Sequence, residues 1–241
     1  MKVFITGSAD GLGRNTADAL LTGGHHVIVH ARSRERLDTI RDLLNRGASG
    51  VVGDPAVMAE VRDLAEQIND LGALDAVIHN AGVVRGPALL AVNVVAPYLL
   101  TALIHRPRRL IYLSSSMHAG GRPHVDGINQ DGRGSTTYSD SKLFVTTLSA
   151  AVARLWPHVT SNAVDPGWVP TKMGGPNAPD DLRLGHLTQV WLATSEDATA
   201  RTTGGYWHHQ KRLRPHTAVA DVRFQDDLLK ALSQHTSVTL E

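Results

Sequence analysis

Lys2-Val3-Phe4-Ile5-Thr6-Gly7-Ser8-Ala9-Asp10-Gly11-Leu12-Gly13 is the stretch from which the fold can be read. Lys2–Ile5 is a short apolar, partly β-branched run that predicts a strand. Glycines at 7, 11 and 13 follow it, and then an apolar spacing that predicts a helix over Leu12–Thr22. A strand that turns through glycines into a helix offers unpaired N–H groups and the positive end of the helix dipole at one point, with no Cβ to hold an anion off. Gly7, Ser8, Asp10, Gly11, Leu12 and Gly13 are therefore candidates to surround a pyrophosphate, and Arg14 just beyond them is a supporting candidate for a further phosphate group.

The alternation continues outward from this stretch. Further strands are predicted at His26–His30, Gly50–Gly53, Ala76–His79, Arg109–Leu113, Thr160–Ala163 and Gly205–Trp207. Helical patterns lie between them near Arg34–Arg46, Ala56–Leu71, Leu89–Leu103, Thr137–Trp156 and Leu184–Ala193. Strands joined through helices pair in parallel by right-handed crossovers, so the chain reads as α/β, a doubly wound parallel sheet of about seven strands with helices on both faces. A single domain spans 1–241, with a substrate loop at about 171–186 and a tail at about 208–241, basic and His-rich at first and helical around Phe224–Ser233. Ligands bind at the carboxyl ends of the strands in sheets of this kind.

Composition narrows the function. The 241 residues carry 24 Lys+Arg against 23 Asp+Glu, a net charge of +1, with 42% hydrophobic residues and no cysteine. That excludes a disulfide framework, a thiolate nucleophile and Cys-ligated zinc, and gives no basic footprint for nucleic acid. Arg106, Arg108 and Arg109 read as a solvated loop edge. No apolar run approaches the ~20 residues of a membrane helix. The chain starts straight into its first strand without a charged and then apolar leader, so a cytoplasmic protein with no membrane partner is expected. The adjacent pairs His25/His26 and His208/His209 point to opposite faces of a strand and nothing has zinc-site spacing, so no metal is expected. Trp168, Met173 and Trp207 are candidates to line a pocket, and Trp191 belongs in the core.

The second strand ends in His30-Ala31-Arg32-Ser33-Arg34. In dinucleotide-binding sheets an acid at this place accepts the ribose 2′-OH, whereas a basic residue accommodates a 2′-phosphate. Here the acid is missing, so Arg32, with Ser33 and Arg34 beside it, predicts NADP(H). Asp54 is placed either to accept from the adenine amino group or to serve the turn before Pro55. Asn80-Ala81-Gly82 ends the fourth strand with small residues that leave room for a nicotinamide ribose.

Tyr138-Ser139-Asp140-Ser141-Lys142 sets a phenol and an ammonium on one helix face. A free phenol titrates near ~10, and a lysine ammonium about 4 Å away at an effective dielectric of ~20 is worth up to ~4 kcal/mol, roughly 3 pH units. Ser114-Ser115-Ser116 leaves the fifth strand at the same rim. A serine hydroxyl and the Tyr138 phenol can therefore converge on one carbonyl oxygen, one orienting it and the other donating a proton.

In these residues the chain resembles the short-chain dehydrogenase/reductase family, which has a Rossmann-type sheet. The matching pieces are Thr6-Gly7-x-x-x-Gly11-x-Gly13, Asn80-Ala81-Gly82, Asn93 in Val92-Asn93-Val94, the serines after the fifth strand, Tyr138-x-x-x-Lys142 and Pro166-Gly167-Trp168-Val169-x-Thr171. The likeness runs from Lys2 to about Lys172 and faintly to Trp207. It implies a catalytic tetrad of Asn93, Ser115, Tyr138 and Lys142. Tyr138 would be the general acid/base, Ser115 would hold the substrate oxygen, and Lys142 would lower the phenol pKa and bond the nicotinamide ribose. Asn93 would anchor a water in a proton relay. Pro166, Gly167, Val169 and Thr171 would follow the nicotinamide end, with Thr171 at its amide.

Arg32 and the long, His-bearing Ser115–Tyr138 connection resemble the NADP-preferring, retinol-dehydrogenase-like branch. The implied activity is hydride transfer between NADP(H) and a small-molecule carbonyl or alcohol, with ketone or aldehyde reduction favoured. A non-catalytic NADP(H)-binding regulator is the alternative, ahead of a sugar-nucleotide epimerase or dehydratase, which needs a larger C-terminal domain. There are departures from the family pattern. Only 12 residues separate Asn80 from Asn93, which shortens the start of the helix at Leu89–Leu103, and His79 replaces a first Asn before Asn80. That helix commonly builds the family's dimer interface, so whether the chain forms a homo-oligomer, and where Asn93 points, are left open.

Overall fold

In β1 (Lys2–Ile5), Val3 and Ile5 belong to the core on one face of the sheet and Phe4 to the core on the other, as a side-chain period of two requires. A strand buried on both faces must lie inside a layered α/β structure. The computed structural model describes residues 1–129 and 136–240; residues 130–135 of the Ser115–Tyr138 connection, and residue 241, lie outside the described residues.

The chain continues through α1 (Gly11–Thr22), β2 (His26–Ala31), α2 (Arg34–Asp38), α3 (Arg41–Asn45), β3 (Ser49–Val52), α4 (Met58–Asp70) and β4 (Ala76–His79). A π-turn over Ala91–Val95 leads into α5 (Ala96–Leu103), followed by β5 (Arg109–Leu113), α6 (Asp126–Asn129), α7 (Tyr138–Leu155) and β6 (Thr160–Asp165). The last elements are α8 (Leu187–Thr194), β7 (Tyr206–His208), β8 (Lys211–Leu213) and α9 (Val222–Thr236). The strands lie in the order β3-β2-β1-β4-β5-β6-β7-β8, all parallel except β8. This is the doubly wound order, and it reverses direction between β1 and β4. Phe4, Ile28, Val77, Leu110 and Tyr112 pack with α4, α5, α7 and α9 on one face. Val3, Ile5, Val29, Ile78 and Ile111 pack with Ala17 and Leu20 of α1, Leu43 of α3 and Leu192 of α8 on the other.

The structure adds detail to two sequence expectations, the sheet and the C-terminal segment, and corrects three others. The sheet has eight strands, because β8 folds back antiparallel on β7 through His209 and Gln210, both in the left-handed region (φ 46° and 61°) that a tight hairpin demands. Its Lys-Arg-Leu side chains are exposed, so no apolar alternation announces it. The same turn stacks the His208 and His209 rings 3.9 Å apart instead of on opposite faces. The helix predicted over Arg34–Arg46 is two short helices; the Thr39 hydroxyl donates to the Arg36 carbonyl (2.7 Å) and Ile40 turns fully into the core. The expected tail beyond 208 is integral: Phe224 packs on Phe144 (6.2 Å between centroids) and the Tyr98 hydroxyl donates to the Val238 carbonyl at 2.7 Å.

The last correction is Arg109, which lies on a buried strand rather than a solvated edge. Its guanidinium donates to the Leu192 and Ser195 carbonyls (3.2 and 2.7 Å) and pairs with Glu196 at 3.0 Å. Among the described residues, no helix is long and apolar enough to cross a membrane.

Candidate active site

Gly7 has a φ of +63°, and a Cβ there would stand 2.9 Å from the Ala81 Cα. A Cβ on Gly13 would lie 2.4 Å from Asn80 Nδ2 and 2.5 Å from the Gly7 oxygen. Only glycine fits either position, so the turn after β1 presses directly on the end of β4. Asn80 braces that contact, donating through Nδ2 to the Thr6 and Gly7 carbonyls (2.9 and 3.1 Å). The Thr6 hydroxyl accepts the N–H groups of Asn80 and Ala81, both at 2.9 Å. Asp10 caps α1 by accepting the Gly11 N–H at 2.9 Å, and its other oxygen pairs with Arg36 (3.3 Å) and with Lys172. The Lys172 bond, which outweighs burial, holds the Asp10 carboxyl below the usual carboxylate range. Leu12 and Gly13 stand in the first turn of α1, where an N–H has no carbonyl of its own helix to meet.

Not every expected ligand faces this turn. Ser8 is fully buried; its N–H donates to the His30 carbonyl (3.1 Å), its hydroxyl donates to the Ile5 carbonyl (3.0 Å), and it accepts the His30 N–H at 2.7 Å. It is a strut of the turn, because its polar atoms are all engaged in protein. Arg14 points to a surface pair with Asp42 at 2.7 Å. Arg32 and Arg34 are exposed beyond β2, and Ser33 caps α2 through the Arg36 N–H at 3.4 Å. Asp54 takes the turn role, accepting the Ala56 N–H at 2.9 Å.

At the neighbouring strand end two of the four expected tetrad residues, Asn93 and Lys142, come together at Gly82. A Cβ on Gly82 would lie 3.4 Å from Asn93 Oδ1 and 3.7 Å from Lys142 Nζ. Tyr138 begins α7, and Lys142, one turn on, has its Nζ 5.5 Å from the phenol ring centroid. Of the three serines, Ser115 is the one whose side chain acts on the phenol, drawing its pKa down. Ser114 is buried against Thr146 (2.5 Å between hydroxyl oxygens), and Ser116 is exposed.

Two of these side chains are engaged within the protein. The Asn93 amide is engaged at both ends, accepting the Val83 N–H (2.8 Å) and donating to the Val83 carbonyl (2.9 Å) and the Ser141 hydroxyl (3.0 Å). Its side chain therefore ties the loop after β4 to the first turn of α7. The Tyr138 phenol lies above its ordinary value. Burial pushes the Tyr138 phenol up and Asp165 adds to that, while the Ser115 bond opposes them. The buried Lys142 ammonium donates to the Leu113 carbonyl at 2.8 Å, and burial lowers its pKa to about 8, with Asp165 resisting the fall.

Asp165 and His118 are functional-site residues that the sequence reading passed over. Asp165 ends β6, accepting the Gly167 N–H (3.0 Å) and the Tyr206 hydroxyl (3.2 Å). His118 Nδ1 meets the Ser115 carbonyl at 2.7 Å, its Nε2 accepts the His216 N–H at 3.0 Å, and its ring lies 4.5 Å from that of Tyr206. An acid immediately before Pro166 was the available signal for Asp165; His118 offered none beyond its place three residues after Ser115.

The loop after β6 closes the site from above. Gly167 (φ +82°) turns beside Asp180, which accepts the Trp168 N–H at 2.5 Å. Thr171 lies next to Gly11, and its hydroxyl accepts the Gly174 N–H at 3.1 Å. Val169 is buried, whereas Trp168 and Met173 are 60% and 49% exposed; Met173 reaches beside Gly82 and the Trp168 ring lies against Gly174. Trp207 is buried, with Trp191 edge-on to it at 5.2 Å, so Trp207 belongs to the core and not to the pocket.

Comparison with known proteins agrees with this geometry. A family profile described as short chain dehydrogenase matches residues 1–105. Short-chain dehydrogenase chry4 of Gibberella zeae is 36% identical, the alignment covering 99% of this chain and 98% of that protein. Human retinol dehydrogenase 13 is 30% identical over 71% of this chain and 60% of its own length, which is in keeping with the branch resemblance. Among solved structures, a blue fluorescent protein from a metagenomic library in complex with NADPH shares the fold with a TM-score of 0.72 at 23% identity, covering 86% of this chain and 95% of that one. The chain belongs to the short-chain dehydrogenase family.

Proposed function

We propose that this chain is an NADP(H)-dependent oxidoreductase that reduces the carbonyl group of a small aldehyde or ketone and can run the reverse oxidation. The observation that carries this reading is the Tyr138 phenol with the buried Lys142 ammonium 5.5 Å from its ring centroid, one helical turn on and beside Gly82 at the end of β4, with Ser115 acting on the same phenol.

The residues present suit a dinucleotide. Gly7 and Gly13 exclude a Cβ, the first turn of α1 presents N–H groups, and the exposed Arg32 follows a strand that ends without an acid. Gly11, Leu12 and Gly13 would hold the pyrophosphate, with Gly7 shaping the turn and Asp10 at its edge. Arg32 and Ser33 would hold the 2′-phosphate. Asn80, Ala81, Gly82, Tyr138 and Lys142 would frame the nicotinamide ribose, and Pro166, Gly167, Val169 and Thr171 the nicotinamide end. NADPH bound to the metagenomic blue fluorescent protein is in line with this choice of cofactor.

When bound, the cofactor supplies the hydride. The chain supplies the rest. Ser115 Oγ donates to the substrate oxygen and orients it, and Tyr138 then gives that oxygen its phenolic proton. Burial and Asp165 keep the phenol protonated at neutral pH, which is the form that reduction requires. Lys142 places positive charge beside the phenolate left behind. Trp168 and Met173 shield one side of the site with apolar surface.

A panel of aldehydes, ketones, quinones and alcohols, followed by the absorbance of the reduced nicotinamide, tests the proposal. NADPH consumption with at least one carbonyl class is expected. Tight NADPH binding with no oxidation across the panel would overturn it in favour of a binding regulator.

A further inference from the structure

His30 holds the glycine turn by a route that the chemistry above does not use. The Gly7 N–H donates to His30 Nδ1 at 2.9 Å, and His30 Nε2 lies 2.8 Å from the Gly53 carbonyl oxygen at the end of β3. A carbonyl oxygen only accepts, so Nε2 carries the proton and Nδ1 is the bare lone pair that Gly7 needs. One tautomer of the neutral imidazole satisfies both bonds. The His30 backbone holds the next residue as well, exchanging hydrogen bonds with Ser8 N–H (3.1 Å) and Ser8 Oγ (2.7 Å). His30 is 1% exposed, so no solvent can replace these partners. Gly7 is thus fixed by the imidazole on its N–H, while Ala81 leaves no room for a Cβ.

We propose that His30 is a positioning residue for the dinucleotide: by accepting the Gly7 N–H it keeps the turn in the shape that receives the pyrophosphate. This rests on the cofactor reading above. Losing the acceptor leaves a buried N–H unsatisfied and the turn free to rearrange, which weakens cofactor binding while Ser115 and Tyr138 stay in place.

The clip also has an acid limit. A second proton on His30 would set an N–H against the Gly7 N–H. Burial depresses the imidazole pKa, opposed by the Gly53 bond and by Asp54. The other titratable group lining the small cavity beside His30 is His79, which burial holds neutral down to about 3. The grip on the cofactor therefore weakens as pH falls through the pKa of His30 itself.

Fluorescence titration with NADPH on the full chain, with melting temperatures recorded, compares wild type with His30→Asn, His30→Gln and His30→Leu. Asparagine keeps an acceptor near the Nδ1 position, whereas glutamine carries the same amide out to the Nε2 position and leaves Gly7 unpaired. The dissociation constant should rise about tenfold for Gln and Leu and stay within about threefold for Asn, with kcat at saturating NADPH within about twofold throughout. Nitrogen NMR of labelled histidine should show a bare Nδ1 and a protonated Nε2. The 2′-phosphate titrates near ~6, so acid weakening of wild type is read against His30→Asn, which keeps the phosphate contribution and lacks the imidazole.

Binding by Gln and Leu within about twofold of wild type, Asn as weak as Gln, or a protonated Nδ1 would each overturn the inference. If Leu fails to fold, the Asn/Gln contrast decides alone. A wild-type chain that binds neither NADPH nor NADH overturns the cofactor reading and this inference together; a binding wild type with unaffected variants overturns this inference only.

Discussion

Exchanging Asp140 for asparagine removes one charge from the start of the helix that carries Tyr138. Asp140 Oδ2 accepts the Thr137 N–H (2.9 Å) while the Thr137 hydroxyl accepts the Asp140 N–H (3.2 Å), a reciprocal cap on α7. The same carboxylate accepts the Arg122 N–H at 2.7 Å and the Arg122 guanidinium at 2.8 Å, tying down the connection that follows Ser115. Burial pushes this carboxyl up, but the bonds from Arg122 and Thr137 outweigh it and hold it at about 2, against the usual 3.8.

Each pH unit between folded and unfolded values is worth ~1.36 kcal/mol, so the ionised group contributes about 2.4 kcal/mol at neutral pH. Because the Arg122 side chain is 58% exposed, screening trims that to about 2 kcal/mol. The folded pKa is the lower one, so the contribution is complete above the unfolded pKa and is lost as pH falls through the folded value. At pH ~3 roughly half remains. Urea unfolding should show Asp140→Asn less stable by about 2 kcal/mol at pH ~7, with the gap narrowing to about 1 kcal/mol at pH ~3, and kcat should fall because Tyr138 begins this helix. A gap under ~0.5 kcal/mol, or one that does not change with pH, would refute the reasoning.

Tyr138→Phe should lower turnover by ~10² to 10⁴ while NADPH binding stays nearly intact; retained turnover would remove the phenol from the proton step. Arg32→Asp should move the ratio of kcat/KM values for NADPH and NADH towards NADH, and an unchanged ratio would show that this guanidinium does not read the 2′-phosphate. Asp165 raises the pKa of both Lys142 and Tyr138. Asp165→Asn should therefore move the rise of alcohol oxidation with pH to lower pH, and a profile that stays in place would sink that assignment.

The residues legible in the sequence are those whose chemistry is local. Gly7 and Gly13 are glycines because a Cβ would strike Ala81, Asn80 or the turn itself, and a strand-turn-helix spacing exposes that need in a dozen residues. Tyr138 and Lys142 share a face by helical periodicity, and Ser115 lies where a strand must end. The residues that escaped notice have partners far along the chain: His30 with Gly7 and Gly53, His118 with His216, Asp165 with Tyr206, Arg36 with Asp10. No spacing encodes such pairs, since the sheet order that creates them is set by crossovers. β8 escaped for a different reason: an exposed polar edge strand is held by its hairpin turn and not by an apolar pattern.

By itself the sequence determined the doubly wound architecture, the rim at which the site stands and the residue types gathered there, because side-chain period, turn chemistry and strand ends are properties of short segments. The protonation state of that site was decided only in three dimensions. An ammonium four residues away promised a more acidic phenol, yet desolvation by the surrounding chain and the carboxylate of Asp165 on another strand raise it instead. Desolvation and field add up over everything packed around a group, and no single segment contains that sum.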